Sequence, residues 1–116
     1  RELDFGAWDG MAPGDVEGAA LARFWDDPDG HAPPGGECWS ALVDRVSAAL
    51  HDLAARPTLI VTHAGAMRAA LAVLCGLDHR QAWAVDLPYN CLLSLRVWPG
   101  EAPGRRPTGQ IAGLYP

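Results

Sequence analysis

His63 has the most chemistry to offer in this chain. It follows the apolar run Leu59-Ile60-Val61-Thr62 and precedes Ala64-Gly65-Ala66-Met67-Arg68. That order reads as a strand buried on both faces, a turn and a helix. Open α/β sheets bind ligands at the carboxyl ends of their strands, and helix N-termini favour anions. Imidazole as a side-chain type can exchange a proton near neutral pH, so the pattern sets a proton carrier where a phosphate would rest. Glu2 is the second candidate. Leu3, Phe5 and Trp8 flank it, and Gly6 and Gly10 permit tight turns. A carboxyl in apolar surroundings keeps its proton to higher pH, as a general acid requires.

Other reactive side chains are less well supported. Arg68 lies one turn into the helix after His63, where an arginine serves equally as a solvated side chain or a phosphate clamp. Gly35-Gly36-Glu37-Cys38 precedes a long amphipathic segment, and Glu37 there suits the first turn of a helix. Cys38 sits at a helix start, which activates thiols, but no base is paired with it. His31, His51 and His79 lack metal-ligand spacing. Asp26, Asp27 and Asp29 form an acidic loop without the calcium-loop pattern. No metal or cofactor is expected.

These residues need a scaffold. The chain has 116 residues, is 49% hydrophobic and carries a net charge of −5. One small domain with a core fits those values. The acidic balance argues against nucleic acid and anionic membrane surfaces as partners. All nine basic residues are arginine. The three cysteines form no CxxC pair, so a disulfide framework is not expected and a reducing cytoplasm fits. No apolar run reaches the roughly 20 residues of a membrane span. The chain opens on Arg1 rather than Met, and upstream residues are expected to be missing.

The hydrophobic spacing predicts a helix over residues 14–27 and a longer one over 37–56, stopped by Pro57. It predicts a strand over 59–62, a helix over 66–75 closed by Gly76 and a short helix over 79–85. Residues 90–98 alternate as a strand, and 111–115 read as a short edge strand. Pro99 to Thr108, with Arg105 and Arg106, reads as a loop. The class is α/β. Two clear strands are too few for a stable open sheet, so the chain reads as the second half of a larger one.

The stretches RELDFGAWDG, PPGGEC, LIVTHAGAMR and YNCLLSL, in this order, resemble the histidine phosphatase superfamily, also called phosphoglycerate mutase-like. The resemblance covers most of residues 1–98. It implies a three-layer α/β/α architecture, with residues 1–116 as the C-terminal portion of one domain built on a mostly parallel sheet. It implies that Glu2 donates the proton to the leaving group and that His63 contacts the phosphoryl oxygens. The amides of Ala64 and Gly65, and Arg68, would bind substrate. The implied activity is hydrolysis of a small phosphorylated metabolite through a phosphohistidine. The wording is nearest the alpha-ribazole phosphatases of cobalamin synthesis and their broad-specificity relatives. The family's Arg-His-Gly nucleophile motif is not among these residues, so the chain by itself is expected to be inactive. Asp9 stands where Glu is commoner, and Cys38 replaces a serine that would cap a helix well. A mutase would use the same residues, and a non-catalytic binding module would explain the missing motif. A homodimer is left open. Substrate choice is assigned to residues 10–36, with Trp25, His31 and Trp39 lining a pocket or simply packing.

Overall fold

A computed structural model describes residues 1–53, 56–100 and 106–116. Their regular elements are four helices and two strands. The helices are α1 (Gly18–Asp26), α2 (Trp39–His51), α3 (Ala64–Cys75) and α4 (His79–Trp83); the strands are β1 (Leu92–Trp98) and β2 (Thr108–Tyr115). The chain divides into two compact units, Leu3–Leu42 and Arg1–Glu2 with Val43–Pro116. No described helix is long and apolar enough to cross a membrane.

The Leu3–Leu42 unit is built around Phe24, which is 1% exposed. The rings of Phe5, Trp8 and Trp25 stand 6.4, 5.7 and 5.1 Å from it, the first two edge-on. Such pairs add to the burial of large apolar area. Trp39 and Leu42, on the first turn of α2, are buried. Two glycine-containing loops lock together here. Ala7 N donates to Pro34 O at 2.8 Å, and Glu37 N donates to Asp4 O at 2.8 Å. The Glu37 carboxylate returns to accept from Asp4 N at 3.2 Å. Glu37 therefore clasps the segment around Asp4 instead of sitting in the first turn of α2. Gly6 has φ +54°, and a Cβ there would collide with Pro34 O, so only glycine closes this clasp without strain.

Both helices that start in this unit are capped by carboxylates. Glu17 accepts from Ala19 N and Ala20 N at the head of α1. At α2 the partner comes from further away. The Cys38 carbonyl accepts the first helical bond, from Leu42 N, which puts Cys38 at the cap. Asp29 takes Ser40 N at 2.7 Å and Ser40 Oγ at 2.5 Å. A loop aspartate thus satisfies a first-turn N–H of the kind a cap hydroxyl would take.

In the other unit α3 supplies the core: Ala66, Ala69, Leu71, Val73 and Leu74 are all buried. It ends at Gly76, which takes the left-handed conformation (φ +70°) and donates to Ala72 O, as the sequence predicts. Asp78 and Gln81 form a reciprocal capping box at α4. Strands β1 and β2 pair antiparallel from Leu92↔Tyr115 to Trp98↔Thr108, with a bulge between Ser94 and Leu95. A Cβ on Gly109 would lie 3.0 Å from Leu74 Cβ, so the glycine brings β2 close against α3. Cys75 Sγ meets Gly109 O at 3.5 Å in the same place.

Several expectations need correction. Residues 59–62 form no strand among the described residues; Leu59 is 79% exposed and Val61 93%. A strand exists only through the ladder it makes with a neighbour, and no described segment pairs with this one. Among the described residues the sheet is a two-stranded antiparallel hairpin; the α/β class holds, and the described residues do not show a three-layer arrangement on a parallel sheet. The first helix is shorter than expected, and α2 stops at His51 rather than near Arg56. Ala54 and Ala55, within the predicted long helix, lie outside the described residues. So do Glu101 to Arg105, the middle of the predicted loop. Strand β2 begins three residues before the predicted edge strand.

Candidate functional site at the head of helix α3

His63 is the N-cap of α3. Its backbone is extended (φ −125°, ψ 162°), and its carbonyl accepts from Met67 N at 2.9 Å. The ring makes no capping bond to its own helix and the residue is exposed. Histidine is a poor cap, so the orphan N–H groups of the first turn need another acceptor. Glu2 supplies it. Its Oε2 accepts from Gly65 N and its Oε1 from Ala66 N, each at 3.0 Å. A carboxylate accepting two backbone N–H groups at a helix head has favourable geometry and a favourable dipole.

The identity of residue 65 follows from that contact. A Cβ at Gly65 would collide with Glu2 Oε1 and lie 2.9 Å from its Cδ. Glycine is a poor helix residue by propensity, yet here it opens room for a side chain from 63 positions away. The backbone of Glu2 is held in turn by Arg45 on α2. Arg45 Nη1 donates to Arg1 O at 3.0 Å and Nη2 to Glu2 O at 3.1 Å.

The structure thus gathers Glu2, His63, Ala64 and Gly65 at one helix terminus. The Gly65 amide, offered to a substrate oxygen by the sequence reading, is donated to Glu2. Arg68 sits further along: its Nη2 donates to Val85 O at 3.2 Å, and its guanidinium lies 5.2 Å from the Trp83 ring centroid. Its buried Nε has no hydrogen-bond partner. In this pose Arg68 fastens α3 to the end of α4. The aromatic neighbours invoked for Glu2, Phe5 and Trp8, pack on Phe24 in the other unit. The Glu2 carboxylate meets the backbone amides of Gly65 and Ala66.

Sequence reading missed Arg45 and Asp29. Arg45 lies off the apolar stripe of α2, as any solvated arginine would, and its acceptors are 43 and 44 residues away. Partial burial raises the Cys75 thiol above its ordinary range through desolvation. Cys38, Cys75 and Cys91 are all free thiols. Among the described residues no group of three or more His, Cys, Asp or Glu stands close enough to hold a metal ion.

The family model for the histidine phosphatase superfamily (branch 1) matches residues 1–105. Glucosyl-3-phosphoglycerate phosphatase of Mycolicibacterium vanbaalenii is 36% identical to the chain over 90 residues. That alignment covers 66% of this chain and 40% of the relative, so the chain spans about two fifths of the length of the curated protein it matches. No solved structure matches the chain.

Proposed function

Because the chain belongs to the histidine phosphatase superfamily (branch 1), we propose that it works as part of an enzyme hydrolysing a small phosphate monoester. The observation that carries this is the meeting of the Glu2 carboxylate with the amides of Gly65 and Ala66, beside His63. An acid–base group and an imidazole then share one helix head, where anionic oxygens are stabilised.

In this reading a histidine outside these 116 residues attacks phosphorus in line and the ester P–O bond breaks. Glu2, protonated, gives its proton to the departing alkoxide oxygen. The resulting carboxylate takes a proton from water as that water attacks the phosphohistidine, which returns the histidine and releases inorganic phosphate. His63 stabilises charge on the equatorial oxygens. Free thiols at all three cysteines fit a reducing, cytoplasmic setting.

Two substrate classes deserve direct comparison. The sequence wording favours alpha-ribazole phosphate. The curated relative is named for glucosyl-3-phosphoglycerate, which favours a sugar-linked phosphoglycerate. The test is a phosphatase assay of the full-length protein against both, with simple alkyl phosphates and phosphoglycerate as comparators. Release of inorganic phosphate that falls by roughly 10²-fold or more in His63→Ala supports the reading. Undiminished release in that variant, or transfer of phosphate between hydroxyls instead of to water, overturns it.

A further inference from the structure

We propose that Arg45 is the positioning residue for Glu2, an inference that rests on the proposed acid–base role of that carboxyl. Among the described residues, 1 and 2 lie in no helix or strand. The guanidinium of Arg45 grips the two consecutive carbonyls there, Arg1 O at 3.0 Å and Glu2 O at 3.1 Å. A planar fork that engages adjacent carbonyls through separate nitrogens fixes the peptide between them, which a point-charge ammonium does not do.

The other end of the same residue tolerates little displacement. Both Glu2 oxygens are engaged at 3.0 Å, and the carboxylate fills the space left open by the missing side chain of Gly65. A small shift of the Glu2 backbone would lift one oxygen off its amide. Through these two bonds Arg45 acts on the chemistry by where it holds Glu2. Helix α2, which carries Arg45, thereby sets the register between the acid and the head of α3.

The test uses the full-length protein and the variants Arg45→Met, Arg45→Lys, Glu2→Gln and the Met/Gln double. The value of kcat/KM, which reports phosphoryl transfer to the histidine and not the later hydrolysis, is measured on an alkyl phosphate, whose leaving group needs a proton, and on 4-nitrophenyl phosphate, whose leaving group does not. Misplaced acid lowers kcat/KM on the alkyl ester by about tenfold or more in Arg45→Met, with kcat/KM on the nitrophenyl ester unchanged. Arg45→Lys, which keeps the charge and most of the packing, shows the same selectivity with a smaller loss. The double variant is no slower than Glu2→Gln. Equal losses on both substrates, or a loss that multiplies with that of Glu2→Gln, overturn the proposal and leave Arg45 a general scaffold residue. If Glu2→Gln itself slows both substrates equally, the acid role fails separately, and the amide NMR signals decide the positioning. Gly65 and Ala66 signals that move alike in Glu2→Gln and both Arg45 variants sustain it; signals unmoved by changing Arg45 overturn it.

Discussion

Glu2 and Gly65 act as a pair, and the pair separates function from stability. Gly65→Ala puts a methyl where the carboxylate lies. Alanine gains up to about 1 kcal/mol of helix propensity, while loss of the carboxylate cap costs about 1 kcal/mol. These nearly cancel, so thermal unfolding should move little while turnover of alkyl phosphates by the full-length protein drops as in Glu2→Gln. A large fall in Tm with unchanged turnover would mean that the carboxylate serves α3 as a cap and nothing more. Cys75 offers a separate check. Its thiol is pushed up by burial, so the folded state holds its proton where the unfolded state releases it. Stability from this residue is complete below the ordinary thiol value of about 8.5 and declines as pH rises through the higher folded value. Denaturation curves across that range should show stability falling with pH more steeply in wild type than in Cys75→Ala; equal slopes would show that the thiol is not linked to folding.

Helix α3 was legible because its signals are local: an apolar face, a glycine stop and a histidine at the start. The cap of α2 was not, because Asp29 acts across 11 residues on Ser40. Asp29→Ala should destabilise by about 1 kcal/mol in urea titration. Cys38→Ser, which restores a local cap hydroxyl, should recover much of that loss in the double variant. A costless Asp29→Ala would show that solvent satisfies the helix head equally well. The same distance explains the other misreadings. Leu59 to Thr62 has strand composition, but composition does not say whether a neighbour exists to pair with. The clasp between Glu37 and Asp4 spans 33 residues and left only its glycines as a trace. At the site, His63 and Glu2 were readable as residue types at suggestive places. That they meet through Gly65 was not, since a side chain from position 2 reaching a helix amide has no sequence period.

At the scale of the whole molecule, the 116 residues carry an acid and an imidazole in a chain spanning about two fifths of its curated relative. The exposed run Leu59-Ile60-Val61 is an apolar segment, which favours association. The isolated 116-residue chain should self-associate in sedimentation at micromolar concentration, and Val61→Lys should reduce this. It should also release no phosphate from any monoester, while the full-length protein should; turnover by the isolated chain would place the nucleophile within it. The most direct measurement of the Glu2 role is the dependence of kcat/KM on leaving-group pKa across aryl and alkyl phosphates, in the full-length wild type and Glu2→Gln. Proton donation by Glu2 predicts a shallow dependence in wild type and a steep one in the variant, the two lines meeting at the best leaving groups. Parallel lines of equal slope would show that the carboxyl at the head of α3 does not protonate the leaving group.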